Sequence, residues 1–174
     1  MNKTVSSFPP RRHLPDWLKT SLPKGVNYFR LKALVKKYRL NTVCESASCP
    51  NIGDCWSAGT LTLMILGDTC TRACRFCDVP TGFMKPPREE EPIEIAEMIS
   101  KINLKYIVIT SVDRDDLPDG GSYIWANTIH QIKKRNLSMK IEALIPDFKG
   151  EDSLVNKICQ EKPEVIAHNI ETVE

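Results

Sequence analysis

The sequence predicts an α/β fold in which parallel strands alternate with helices to form a sheet or barrel. Three observations predict it: short apolar runs rich in β-branched residues recur, segments of helical periodicity separate them, and each such segment carries a helix-start signal. Residues 1–43 are basic and broken by Pro9, Pro10, Pro15 and Pro23. Within them 28–38 reads as a short amphipathic helix, with Leu31, Leu34 and Val35 on one face. Residues 44–60 read as a cysteine-bearing loop turned by Pro50, Gly53 and Gly59.

From residue 61 the texture changes. Residues 61–66 form an apolar strand ending at Gly67, and a polar loop with three cysteines follows. A helix starts near Pro92, a residue suited to the first helical turn, and carries Ile95, Met98, Ile99 and Ile102 at helical spacing. Residues 106–110 are a second strand. After the loop 111–121, Ser122 is placed to cap a helix with Trp125, Ile129 and Ile132 on one face. Residues 139–145 are a third strand. Asp152 is placed to cap a helix bearing Leu154, Val155 and Ile158, and 165–170 is a fourth strand. The order β-α-β-α-β-α-β implies parallel crossover connections. Four parallel strands do not close a barrel.

Composition excludes several classes. With 174 residues, 41% apolar and 26% charged, the chain is long enough for a hydrophobic core. Lys plus Arg number 24 against 22 for Asp plus Glu, a balance that argues against a nucleic-acid partner. No run approaches the roughly 20 apolar residues that span a bilayer, and the first residues lack the apolar stretch of a secretory signal. A cytoplasmic location is expected, with an organelle as the alternative and no membrane partner.

Seven cysteines are present, six of them between Cys44 and Cys77. An odd total without a secretory signal points to metal binding rather than disulfides. Cys70, Cys74 and Cys77 follow the first strand at C-x3-C-x2-C spacing. Three thiolates can hold three irons of a [4Fe–4S] cluster and leave the fourth open for a cofactor or substrate. A zinc site or redox thiols are the alternatives. Cys44, Cys49 and Cys55, at C-x4-C-x5-C spacing, form a second three-thiol set, and spacing alone leaves cluster, zinc and structural roles open. The seventh, Cys159, reads as a small buried hydrophobe on the third helix.

C-x3-C-x-aromatic-C after a first strand resembles the signature of radical S-adenosylmethionine (SAM) enzymes. The segments CESASCPNIGDCW and LGDTCTRACRFCDVPTG together resemble the lipoyl synthase family. The similarity continues in LPDWLKTSLPKG, TSVDRDDLPDGG, IEALIPDFKG and HNIETV. The resemblance implies a partial radical SAM barrel over 61–174, preceded by an extension, 1–60, that carries an auxiliary-cluster loop. It implies two [4Fe–4S] clusters, one on Cys70, Cys74 and Cys77 and an auxiliary one on Cys44, Cys49 and Cys55. SAM is bound at the first and cleaved to a 5′-deoxyadenosyl radical, with Phe76 near the adenine. The implied reaction inserts sulfur at C6 and C8 of an octanoyl chain on a carrier lysine, consuming the auxiliary cluster. The implied partners are octanoylated lipoyl-carrier domains of 2-oxoacid dehydrogenase subunits and the glycine cleavage H protein, a reduced ferredoxin or flavodoxin, and an iron–sulfur cluster donor.

Other residues are candidates for the same site. Glu142, Asn169 and Glu171 are expected to contact SAM, with structural hydrogen bonding as the other reading for Asn169, Glu171 and their neighbour His168. Gly120 and Gly121 serve either as a turn or as a close approach to SAM. Asp113, Arg114, Asp115 and Asp116 are a solvated loop on charge alone and a site loop by position. The family's fifth and sixth strands find no match here, nor does its C-terminal Arg-Ser-Ser-Tyr-type segment, whose serine is the auxiliary cluster's fourth ligand. The chain is therefore expected to correspond to the family's N-terminal part. The alternative reading is an inactive or split portion that only binds a [4Fe–4S] cluster or transfers electrons.

Overall fold

A computed structural model of the chain describes Pro15, residues 23–102, Leu104 and residues 106–170. Helix α1 (Val26–Lys37) leads to a two-residue strand β1 (Asn41–Thr42) and two short helices, α2 (Val43–Ser46) and α3 (Ile52–Ser57). Then come β2 (Thr62–Ile65), α4 (Glu91–Ser100), β3 (Tyr106–Ser111), α5 (Ser122–Arg135), β4 (Lys140–Leu144), a 3-10 turn (Phe148–Gly150), α6 (Asp152–Gln160) and β5 (Val165–Ala167). The five strands lie in sequence order in one sheet. Strands β2 to β5 run parallel, as expected, and β1 adds an antiparallel edge against β2.

The register separates two faces of the sheet. Ile107 pairs with Ile141 and Ile109 with Ala143, and all four are fully buried. This is the helix face, where the Trp125 indole of α5 donates to Ser111 Oγ at 3.1 Å. On α4 the stripe Ile95, Met98, Ile99 is buried, as is Ile129 and Ile132 on α5. The opposite face carries Val108, Thr110, Glu142 and Leu144, all half-buried. Alternation with period 2 puts each strand's odd and even residues on these two faces.

Several expectations need correction. The stretch 44–60 is largely helical rather than loop: Thr42 and Glu45 frame α2 as a T-x-x-E start, with Thr42 Oγ1 accepting the Glu45 N–H at 3.2 Å. Ser122 does not cap α5. Gly121 holds the N-cap position at φ +83°, and Asp119 two residues earlier accepts the N–H groups of Gly121 and Tyr123 at 3.0 and 2.9 Å. Asp152 likewise stands inside the first turn of α6, where its charge complements the helix dipole, and Glu151 is the N-cap. The last strand stops at Ala167, because β4 ends at Leu144, just before Pro146, and leaves nothing for residues 168–170 to pair with.

Cys159 is exposed, not buried. At roughly 100° per residue it falls about 100° from Ile158, the buried centre of the α6 stripe, while Leu154 and Val155 are half-buried. Among the described residues no helix is long and apolar enough to cross a membrane.

Candidate metal centre

The loop that joins β2 to α4 leaves the carboxyl end of the sheet, where open α/β sheets place their ligands. It begins with two residues in unusual conformation, Leu66 at φ +71° and Gly67 at φ +111°. A buried network holds Leu66 there. Its N–H donates to the Glu91 carboxylate at 2.9 Å, and its carbonyl accepts from Arg114 Nη1 at 3.1 Å. Burial raises the pKa of Glu91, against the N–H bond from Leu66. Arg114 is only 3% exposed and also donates to the Lys85 carbonyl and to both oxygens of Asp116. The expectation of a solvated loop at 113–116 therefore fails at Arg114, whose charge is buried and fully partnered.

The three cysteines of this loop differ in setting. Cys70 is buried, whereas Cys74 and Cys77 are exposed. Cys70 N–H donates to the Pro80 carbonyl at 2.8 Å, and a bridge to Thr81 ties the base of the lobe that presents the other two. Cys77 N–H donates to the Cys74 carbonyl at 3.0 Å, which makes their segment a tight turn. The Cys70 sulfur accepts the N–H groups of Arg72 and Asp113 at 3.4 and 3.3 Å. Burial pushes the Cys70 thiol up, and those two N–H groups oppose it. They stabilise negative charge on the sulfur, as a metal-bound thiolate requires.

The first triplet is built differently. Cys44 lies on α2, Cys55 on α3, and Cys49 in the turn between them. Cys49 N–H donates to the Cys44 carbonyl at 3.1 Å, and Ile52 N–H to the Cys49 carbonyl at 3.3 Å. All three are half-buried. Burial raises the Cys55 pKa, and the neighbouring Cys44 and Cys49 thiols raise it further, so the three sulfurs sense one another. Trp56 beside them is fully buried and packs on Tyr28 with ring centroids 5.5 Å apart. Because Thr42 pairs with Leu63 and Thr60 N–H bonds the Cys55 carbonyl, this triplet lies at the amino end of β2. The other lies at the carboxyl end, and four strand residues between them rise about 13 Å.

Both donor sets fit iron–sulfur ligation. Each offers three free thiols, and the only other cysteine is the exposed Cys159 on α6. Among the described residues no three His, Cys, Asp or Glu side chains stand close enough to share a single metal ion. A [4Fe–4S] cluster takes one thiolate on each of three irons.

The remaining candidates lie as follows. Phe76 is 63% exposed on the lobe, between Cys74 and Cys77. Glu142 is half-buried on the open face and accepts a hydrogen bond from the Tyr106 hydroxyl. Asn169 is exposed beyond β5, His168 Nδ1 lies 2.9 Å from the Ile145 carbonyl, and Glu171 lies outside the described residues. Gly121 packs against the core: a Cβ there would stand 2.4 Å from Leu66 Cδ1. Gly120 faces Phe148 in the same way, at 3.0 Å. Both glycines thus act as a packed turn.

Sequence reading missed the ion network around the lobe. Arg72 donates to both oxygens of Asp115 at 2.7 and 2.9 Å and both of Asp147 at 2.8 and 2.9 Å, with Asp113 3.6 Å away. These hydrogen bonds hold Asp115 down at about 2, and Asp147 is lowered too. Asp113 is pushed up by burial, against the pull of Arg72. No local pattern marks these residues as partners, since they sit on three separate loops. Two cavities open near these loops. One of about 430 Å³ is lined by Arg39, Asp68, Lys85, Glu91 and Arg114 among others, and one of about 320 Å³ by Asp115, Gly120 and Phe148 among others.

The sequence is similar to known proteins over most of its length. The profile of the radical SAM superfamily matches residues 64–174, and that of the N-terminal domain of lipoyl synthase matches residues 2–49. The chain is 52% identical over 168 residues to the lipoyl synthase of Natronomonas pharaonis, covering 94% of this chain and 54% of that protein. It is 51% identical over 170 residues to the mitochondrial lipoyl synthase of Nematostella vectensis (98% and 58%) and 49% identical over 173 residues to the lipoyl synthase of Flavobacterium johnsoniae (99% and 59%). The chain spans about half the length of the curated relatives it matches.

Proposed function

We propose a function from one premise: the chain belongs to the radical SAM superfamily and, within it, to the lipoyl synthase family. The proposed reaction is insertion of two sulfurs, at C6 and C8, into an octanoyl chain carried on a lysine of a lipoyl-carrier protein. The observation that carries it is the presence of two unlike three-thiol sets, one helical and half-buried, the other on a lobe at the carboxyl end of the sheet. When bound, a [4Fe–4S] cluster on the lobe supplies one-electron cleavage of SAM, and an auxiliary one supplies sulfur.

The chain's own residues divide the work. Cys70, Cys74 and Cys77 hold the first cluster, and the N–H groups of Arg72 and Asp113 stabilise the Cys70 thiolate. The exposed ring of Phe76 presents a stacking face for adenine. Glu142, already accepting from Tyr106, offers its second oxygen to SAM from the open face, and Asn169 and Glu171 contact SAM beyond β5. Cys44, Cys49 and Cys55 hold the auxiliary cluster within residues 1–60, and residues 61–174 supply the barrel portion. The proposed partners are octanoylated carrier domains, a reduced ferredoxin or flavodoxin, and a cluster donor, with the cytoplasm as the proposed compartment.

The test is anaerobic reconstitution of the full chain with iron and sulfide, followed by SAM, dithionite and an octanoyl-lysine peptide. Mass spectrometry is expected to find 5′-deoxyadenosine and a dithiolated peptide. Deoxyadenosine without sulfur insertion would restrict these residues to radical generation. Neither product, with iron and sulfide bound, would overturn the reading in favour of a cluster-binding or electron-transfer protein.

A further inference from the structure

Arg72 stands between Cys70 and Cys74, and nothing in the cluster chemistry itself calls for a cation there. Its guanidinium uses Nε, Nη1 and Nη2 in two forked pairs, one with Asp115 on the loop after β3 and one with Asp147 on the loop after β4. The same residue's backbone N–H donates to the Cys70 sulfur, and Thr71 beside it bonds the Asp113 carbonyl through both N–H (3.1 Å) and Oγ1 (3.0 Å). Asp115 N–H returns a bond to Thr71 Oγ1 at 3.2 Å. Lys149, the other cation on Asp115, is an exposed side chain that reaches one carboxylate oxygen at 3.4 Å and donates to the Asp115 carbonyl at 3.5 Å, with no forked pair. Isolated surface ion pairs contribute little, but forked arginine pairs joined in a network are the exception. A lysine is a point charge and cannot make two planar forks at once.

We propose that Arg72 is a positioning residue: it clamps the cysteine lobe to the carboxyl ends of β3 and β4 and so aims the N–H groups of Arg72 and Asp113 at the Cys70 sulfur. The clamp's bearing on SAM chemistry rests on the function proposed above, whereas its action on the lobe does not. It preorganises the lobe before any cluster is loaded, so that Cys74 and Cys77 are presented from a fixed base rather than from a free loop.

Hydrogen–deuterium exchange on the full, reduced, cluster-free chain tests this. In Arg72→Lys, amides of 68–82 and 112–117 are expected to exchange at least about tenfold faster than in the wild type, the scale of one charge-assisted pair lost, with α4 and α5 unchanged. Asp147→Asn, which removes one fork, is expected to give a smaller acceleration in the same segments. Arg72→Met leaves three carboxylates facing one another. The triple variant R72M/D115N/D147N relieves that repulsion, and is expected to recover the melting temperature without the protection. Wild-type protection in Arg72→Lys, or protection restored in the triple variant, would overturn the proposal. After reconstitution, Arg72→Lys is expected to bind as much iron and sulfide as wild type, while the change that SAM makes in the reduced cluster's EPR spectrum is weakened. An unaltered spectral change would limit the clamp to the empty lobe and overturn its bearing on SAM chemistry. If the wild type itself takes up no cluster, the proposed function fails, and the exchange data still decide the clamp.

Discussion

The two cysteine triplets are held in opposite ways. Cys44, Cys49 and Cys55 ride on α2, the following turn and α3, and their backbone bonds are to residues a few positions away. Cys70, Cys74 and Cys77 ride on a lobe with no helix of its own. Its ties run to Asp113, Asp115 and Asp147, more than forty residues distant for Thr71 and Arg72. One triplet is set by local structure and stays half-buried at the amino end of β2. The other is set by tertiary contacts and leaves two thiols in solvent at the carboxyl end. A site for a bound cofactor needs open, convergent space, and loops at strand ends provide it. A set enclosed on two helix turns is suited to holding a group in place.

The sharpest way to break the comparison is to remove one thiol from each triplet. Under the proposed function, Cys70→Ala is expected to abolish deoxyadenosine formation. Cys49→Ala is expected to spare deoxyadenosine and stop dithiolation, both read by mass spectrometry. Sulfur insertion persisting in the Cys49 variant would show that the triplets are not two separate sites.

A second contrast lies in stability. Gly121→Ala places a Cβ 2.4 Å from Leu66 Cδ1 at φ +83°. Strain and overpacking together are expected to cost about 2–4 kcal/mol in urea unfolding, with the lobe after Leu66 losing exchange protection. Thr42→Ala removes the α2 cap and is expected to cost about 1 kcal/mol, with exchange faster around α2 and the lobe unaffected. Thr42→Ser should restore it.

The smallest effect is on pH. Asp115 lies at about 2 in the folded chain against an ordinary 3.8. Its contribution is therefore complete above its unfolded value and lost as pH falls through the folded one. Asp113, raised by burial, runs the other way and offsets part of it. Acid titration is expected to release protection of the lobe below about pH 4 while the α2–α3 segment holds. Equal loss in both regions would show that the lobe does not depend on its carboxylates.

Much of the molecule was legible in the chain. The four parallel strands, the stripes on α4 and α5, and both cysteine sets follow from periodicity and spacing, because residues that share a face recur every two or about 3.6 positions. Even α2, read as loop, carried its signal in Thr42 and Glu45. The edge strand β1 did not, since two residues have no period and become a strand only by pairing with β2. Nor did the α5 cap, where Asp119 reaches forward past two glycines that a local rule would have passed over in favour of Ser122.

What the sequence by itself determined is which atoms are available and on which elements they ride: two sets of three thiols, parallel strands and amphipathic helices. What only the tertiary structure decided is where those sets lie and what holds them: opposite ends of β2, a buried Arg114 and Glu91 bracketing Leu66, and Arg72 forked between two distant aspartates. The reason is physical. Periodicity is a property of one segment, whereas a charge finds its partner only after the sheet has brought the ends of three strands side by side.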